Sequence, residues 1–508
     1  MSNNGYLLGY DIGSSSIKAS LIDSETGKLI SSAVSPDTEL KIFAPEPGWG
    51  EQDPEVWWEH VIKATAHIRS NTGNKLSDVK AIGISYQMHG LVLVDSNHKS
   101  LSPSIIWCDS RAVEIGNKAY HDIGPEYCLG HLLNSPGNFT ASKLKWVQEN
   151  NHDIYNEIFK IMLPGDYIAM KLTGEIFTTQ SGLSEGIMWD FKGKKLSEIV
   201  LDYYKIGHEL LPEALPSFSI QGTVTREVSE ILGIKQNTPV AYRAGDQPNN
   251  AFSLNVINPG EIAATAGTSG VVYGVDDRPL YDNASRVNTF LHVNYTPEFP
   301  RYGVLLCVNG TGILNSWIRQ FINTNKNTSL SYDEMNAIAS NVSPGSDGLV
   351  ILPYGNGAER TLENKNIHSS FHGIDFTRHS SYHIIRASQE GIAFALRYGL
   401  DIMKNIGVSV AKVRAGYANM FLSPVFTEIF ATVSGVEVEL YNTDGSQGAA
   451  RGAGVGTGLY SDMTEAFIGL NSSKKVEPNR KISDLYMHAY LKWLSVMKSQ
   501  VNITDNSE

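Results

Sequence analysis

The feature that most constrains this chain is a hairpin that occurs twice. YLLGYDIGSSSIKASLID, Tyr6 to Asp23, sets two apolar runs around the small polar insert Asp11-Ile12-Gly13-Ser14-Ser15-Ser16. GEIAATAGTSGVVYGV, Gly260 to Val275, repeats the plan around Ala266-Gly267-Thr268-Ser269-Gly270. One hairpin opens the first half of the chain and the other heads the second half. No period of about 20–50 residues is visible, so this is a pseudo-duplication and not a solenoid. It predicts two related α/β domains, 1–250 and 251–508, which fits the two to four domains that 508 residues allow.

Strand-like and helical patterns alternate between the hairpins. WWEHVIKATAHI follows the breaker Asp53-Pro54 and reads as a helix. VKAIGISYQMHGLVLVD, Val79 to Asp95, reads as two strands around a polar turn, and VAYRAGDQ as a short strand. Such alternation predicts α/β layers. In SQGAARGAGVGTG, Ser446 to Gly458, glycine and alanine recur near helical spacing, which predicts a helix packed closely on a sheet. ISDLYMHAYLKWLSVMK reads as a closing surface helix and VNITDNSE as a mobile tail.

The formal net charge of −12 argues against a general nucleic-acid or anionic-membrane surface. No run approaches the ~18 apolar residues of a membrane helix. MSNNGYLLGYDIG has no basic region, so no signal peptide is expected. Cys108, Cys128 and Cys307 lack paired C-x-x-C spacing and predict neither a disulfide framework nor a zinc site. A reducing cytoplasm is the natural setting.

Glycine lets a turn approach a ligand closely, and successive backbone N–H groups can converge on an anion. Two such turns facing each other across a cleft would grip a polyphosphate from both sides. Asp11 beside phosphates would repel them unless a cation intervened, and Mg²⁺ contacts few carboxylates while keeping its waters. Lys18, on the returning strand, would offset phosphate charge. G-x-x-x-x-G-K-[ST] and the protein-kinase motif set are absent, as is a strict G-x-G-x-x-G after a strand.

In these motifs the chain resembles the FGGY carbohydrate kinases of the actin/Hsp70/sugar-kinase superfamily. Asp11-x-Gly13-Ser14-x-x-x-Lys18 is similar to the family's first phosphate motif, with serine for threonine, and Gly267-Thr268-Ser269-Gly270 to its second. Gln87-Met88-His89-Gly90, IIWCDSR (Ile105 to Arg111), GNFTASKLKW (Gly137 to Trp146), LPGDYIAMKLTGE (Leu163 to Glu175) and Ala358-Glu359-Arg360-Thr361 are similar to blocks of its xylulose kinases. Two segments depart. Ala244-Gly245-Asp246-Gln247 replaces G-G-G-D-N and is similar to the G-D-Q of glycerol kinases. Ala415-Gly416-Tyr417-Ala418-Asn419 replaces a G-G-G segment.

The resemblance implies two actin-like (ribonuclease H-like) ATPase domains flanking a catalytic cleft. It implies ATP- and Mg²⁺-dependent phosphorylation of the terminal hydroxyl of a ketopentose, and a homodimer. Asp246 would be the catalytic base. Asp11 and Asp246 would hold the metal. Gly13, Ser14, Ser15, Ser16, Lys18, Gly267, Thr268 and Ser269 would bind phosphates, with Gly310, Gly416 and Asn419 on the adenosine side. Met88, His89, Asn138, Asp246 and Gln247 would contact the sugar, with Trp107 as an apolar wall. Other readings stay open at this stage: another kinase of the family acting on ribulose, gluconate or glycerol, an ATP-binding regulatory protein, or a catalytically silent sugar sensor.

Overall fold

The computed structural model describes residues 5–323 and 330–505. The first hairpin becomes β1 (Tyr6–Ile12) and β2 (Ile17–Asp23), continued by β3 (Leu29–Ser35). With β4 (Val79–Tyr86) and β5 (Val240–Gly245) they form a sheet of order β5-β4-β1-β2-β3. β5, β4 and β1 run parallel, and β1, β2 and β3 alternate in direction.

The second hairpin becomes β6 (Glu261–Ala266) and β7 (Gly270–Asp276). They join β8 (Asn288–Leu291), β9 (Tyr302–Val308), β10 (Lys412–Gly416), β11 (Val438–Tyr441) and β12 (Ser472–Val476) in the order β8-β9-β7-β6-β10-β11-β12. Its inner five strands, β11-β10-β6-β7-β9, have the same order and directions as the first sheet. The duplication visible in two hairpins therefore extends over five strands of each half.

α1 (Pro54–Thr72) starts where Asp53 caps the Glu55 amide at 3.0 Å and Pro54 occupies the first turn. Trp57, Val61, Ala64 and Ile68 recur at helical spacing and are fully buried, in one core with β1 and β2. α2 (Asp246–Ser253) begins directly after β5. α3 (Gly445–Gly456), although late in the chain, lies flat on β1, β4 and β5 of the first sheet. Glycine permits that approach. A Cβ on Gly9 would sit 1.9 Å from the Ser446 carbonyl oxygen, and one on Gly83 1.9 Å from that of Ala449.

α4 (Ser483–Asp505) is the closing surface helix that the sequence predicts, with one face packed inward. Tyr486, Tyr490, Trp493 and Met497 are buried in the core of the second half, and the Trp493 indole donates to the Ile351 carbonyl at 3.0 Å. It also takes up the first residues of the expected tail, through Asp505, while 506–508 lie outside the described residues. Among the described residues no helix is long and apolar enough to cross a membrane.

Candidate active site

The register of β1 and β2 sets Asp11 opposite Lys18 at the mouth of the first turn. Gln52 Nε2 holds the Ser14 carbonyl at 2.7 Å, and the Leu40 amide holds that of Ser15 at 2.7 Å. The Ser14, Ser15 and Ser16 amides make no hydrogen bond to protein among the described residues, which leaves three donors for an anion. Gly13 departs from expectation: its amide closes the turn on the Ser16 carbonyl at 3.1 Å, so it shapes the phosphate loop without donating to it.

The second turn is held from behind. The Gly267 carbonyl accepts from the Gly312 amide (2.8 Å) and Thr311 Oγ1 (3.0 Å), and the Thr268 carbonyl from the Ile313 amide (3.2 Å). These donors belong to the start of the helix Gly312–Asn323, whose first amides lack intrahelical partners. A Cβ on Gly312 would stand 2.3 Å from the Gly267 oxygen.

Beside this turn opens a cavity of about 510 Å³, lined by Gly267, Thr268, Asn315, Asn336, Asn419 and Met420 among others. Asn315 and Asn336 sit on separate helices, and no local motif marks them in the sequence. Gly416 is off this wall; a Cβ there would meet nothing nearer than the Thr443 carbonyl at 3.9 Å. Gly310 is packed against Pro353 and is not among the residues lining this cavity. Its amide donates to Glu359 Oε1 at 3.1 Å, and a Cβ would lie 1.6 Å from the Pro353 oxygen. A larger cleft of about 800 Å³ near Trp58, His98 and Lys171 contains none of the expected site residues.

β1, β4 and β5 end together, with Asp11 and Ala244 both registered on Ser85. This brings Asp11 and Asp246, the first residue of α2, to one edge of the sheet. The N-terminus of α3 meets the same edge, since a Cβ on Gly445 would stand 2.5 Å from Asp11 Oδ2. Burial, and then the charge of Asp11, push the Asp246 carboxyl up to about 7, against hydrogen bonds from Gln247. Asp11 is also raised, by burial and by Asp444, while Lys18 opposes the shift. Neighbouring carboxylates of this kind suit a hard divalent cation. Among the described residues no group of three His, Cys, Asp or Glu forms a cage.

On the side where the sequence places the sugar, His89 turns out of β4 with φ 61°. Its ring lies edge-on to Phe139, with centroids 4.6 Å apart, and tilted against Phe290 of β8 at 5.4 Å, so both halves of the chain enclose it. His89 Nδ1 is 3.1 Å from the Glu185 carbonyl oxygen. A carbonyl can only accept, so Nδ1 carries the proton and Nε2 is left as an acceptor. Burial, with Lys143 nearby, pushes this imidazole down to about 3.

Lys143, which the sequence reading did not single out, is fully buried and donates to the His89 carbonyl at 2.8 Å and the Ile106 carbonyl at 2.9 Å. It braces the Q-M-H-G turn. The Asn138 amide nitrogen donates to the Asp109 backbone carbonyl, leaving Oδ1 without a partner. Met88 is buried against Gly245. Trp107 is not core. It is 52% exposed, and its indole N–H donates to Ser14 Oγ at 3.2 Å, tying this side to the phosphate turn.

Glu185 was also missed, because TTQSGLSEG reads as an ordinary polar stretch. It closes the helix Gln180–Glu185 and is buried beside Tyr86. Burial, then Asp166 and Asp246, hold its carboxyl well above the usual range.

The first hairpin, Asp11 and Asp246 meet at one sheet edge, and Asn419 stands beside the second hairpin. The model of the FGGY carbohydrate kinase N-terminal domain matches residues 6–253, and that of the C-terminal domain matches residues 262–456. The chain belongs to the FGGY family of carbohydrate kinases. It is 30% identical to the xylulose kinase of Lactococcus lactis subsp. lactis (strain IL1403) over 513 aligned residues, covering 98% of each chain. Among solved structures it is similar to a ligand-bound xylulose kinase from Lactobacillus acidophilus (TM-score 0.88, 22% identity, 99% of this chain and 100% of the other). It is equally similar to a gluconate kinase from the same organism (TM-score 0.87, 22% identity, the same coverage). The two-domain actin-like ATPase fold is thus shared across different sugars, and the chain is an ATP-dependent sugar kinase of that fold.

Proposed function

We propose that the protein phosphorylates the terminal hydroxyl of a ketopentose, D-xylulose, to give D-xylulose 5-phosphate. The full-length similarity to xylulose kinases supports the sugar. The observation that carries the chemistry is Asp246, buried at the sheet edge beside Asp11 of the first phosphate hairpin.

A sugar alcohol is a weak nucleophile at neutral pH. Asp246 accepts its proton as the oxygen attacks the γ-phosphorus and the bond to the ADP oxygen breaks. A carboxyl with an affinity near neutrality takes that proton more readily than an ordinary aspartate. Ser14, Ser15, Ser16, Thr268 and Ser269 orient the phosphates through amides and hydroxyls, and Lys18 offsets their charge. Asp11 and Asp246 would hold a hydrated Mg²⁺, which supplies charge neutralisation to the β- and γ-phosphates. Asn419 faces the nucleoside; Gly416 contributes only backbone there. His89 Nε2 accepts from a sugar hydroxyl, Met88 packs on the carbon chain, and Asn138 and Gln247 supply further polar contacts. Phe290 and Phe139 exclude water, which otherwise competes as acceptor.

We also propose a cytoplasmic homodimer. Three unpaired cysteines support the compartment, and the dimer rests on family resemblance alone.

The test is ATP consumption with Mg²⁺ across D-xylulose, D-ribulose, L-ribulose, L-xylulose, gluconate, glycerol and no sugar. The proposal expects the highest kcat/KM on D-xylulose. A higher value on another sugar replaces the substrate, and turnover indifferent to sugar overturns the reading.

A further inference from the structure

The block Ala358-Glu359-Arg360-Thr361 stands out in the sequence, yet none of its side chains enters the chemistry above. In the fold Glu359 is fully buried. Its Oε2 accepts from the Asn309 amide at 3.0 Å, and its Oε1 from the Gly310 amide at 3.1 Å. Asn309 Nδ2 adds a third tie, to the Ala358 carbonyl at 2.7 Å. Glu359 is itself fixed through its backbone. Its amide donates to the Lys365 carbonyl at 3.1 Å, and its carbonyl accepts from the Leu362 and Asn364 amides at 2.9 Å each.

Asn309 and Gly310 follow directly on β9 and lead to Thr311 and the helix Gly312–Asn323. Thr311 Oγ1 donates to the Gly267 carbonyl at 3.0 Å and to that of Thr268 at 3.1 Å, and the Gly312 amide donates to the Gly267 carbonyl at 2.8 Å. The segment 309–312 is therefore gripped by Glu359 at one end and grips the second hairpin turn with the other. A peptide unit is planar and trans, so its N–H points opposite to its carbonyl. Fixing the Gly267 oxygen aims the Thr268 N–H, and fixing the Thr268 oxygen aims the Ser269 N–H. Those two amides make no hydrogen bond to protein among the described residues, which leaves them for an anion.

Two successive amides converging on one side chain need two acceptor oxygens, which a carboxylate has and a carboxamide lacks. Burial pushes the Glu359 carboxyl up to about 7, and the two bonds oppose that shift. The segment has no room to retreat, since a Cβ on Gly310 would lie 1.6 Å from the Pro353 oxygen.

We propose that Glu359 is a positioning residue for the nucleotide: its carboxylate sets the segment 309–312, which aims the Thr268 and Ser269 amides at the phosphates. This rests on the reading of the second hairpin as a phosphate turn.

The test uses the full chain with Glu359→Gln and Thr311→Val, singly and combined. Calorimetry gives the affinity for a non-hydrolysable ATP analogue with Mg²⁺, and separately for D-xylulose without nucleotide; steady-state kinetics gives the ATP KM. Each single variant should raise the analogue Kd and the ATP KM about tenfold, the worth of one hydrogen bond. Sugar Kd should stay within about twofold. The double variant should lose about tenfold and not about 100-fold, because both residues act through one segment. If Glu359→Gln fails to fold, Glu359→Asp, which keeps the charge and shortens the reach, is read by the same split. Analogue affinity within about twofold of the natural protein, equal losses for sugar and nucleotide, or fully additive losses in the double variant would overturn the assignment. A natural protein that binds no ATP analogue would instead overturn the nucleotide reading on which it rests.

Discussion

His89 Nδ1 donates to the Glu185 backbone carbonyl at 3.1 Å, and that bond fixes the protonation pattern of the imidazole. It assigns the tautomer, presents Nε2 as an acceptor, and ties a turn after β4 to the end of a helix almost one hundred residues later.

Removing that acceptor should weaken sugar and spare ATP. His89→Ala is expected to raise the sugar KM about tenfold, the worth of one hydrogen bond, with the ATP KM within about twofold. The lowered affinity for protons also carries a sign. Held at about 3, the imidazole stays neutral at every pH well above that. Sugar affinity should show no histidine-dependent limb between about pH 5 and 8, where an unperturbed histidine would titrate. Steady-state kinetics in both substrates across that range checks both statements.

Gly312→Ala tests the second phosphate turn from behind. The new methyl would stand 2.3 Å from the Gly267 oxygen, and neither group is a flexible side chain. The turn must shift, and ATP KM should rise about tenfold or more while sugar Kd without nucleotide stays within about twofold. Equal losses in both ligands would mean a general disturbance of the second half.

The two hairpins made most of this fold legible. They announce themselves as apolar runs around small-residue turns, and a turn is a local object. The same holds for Asp53-Pro54 before α1, and for Asp246, whose match to a motif needs only its neighbours. What could not be read depends on distant partners. Gly310 has no room for a Cβ because Pro353 stands against it, and Gly13 looks like a phosphate donor until Ser16 claims its amide. Lys143 and Glu185 lie in stretches with no unusual pattern. Their importance comes from burial beside the Q-M-H-G turn, and burial is a property of the assembled chain.

Acid should loosen the second sheet at β11. Glu439, 3% exposed, accepts from Lys475 at 2.6 Å, Arg414 at 3.1 Å and Tyr441 at 3.0 Å. Burial alone would raise its carboxyl, but those partners outweigh it and hold it down at about 2. The folded affinity for protons lies below the unfolded one, near 4.3, so this stabilisation is full above that pH and is lost as pH falls towards 2. Glu439→Gln should cost roughly 2 kcal/mol at pH 6, with the gap closing towards pH 2.5. Urea unfolding at both pH values reads it; a gap independent of pH would contradict the role.

The most direct test of the account is Asp246→Asn, which keeps the shape of the side chain and removes its capacity to take a proton. Sugar and ATP affinities should be measured separately from single-turnover phosphoryl transfer. The account predicts a loss of about 10³-fold in the transfer rate, with both affinities within a few-fold of the natural protein. Transfer within about tenfold of the natural rate, on a variant that binds both ligands normally, would contradict Asp246 as the base and with it the mechanism.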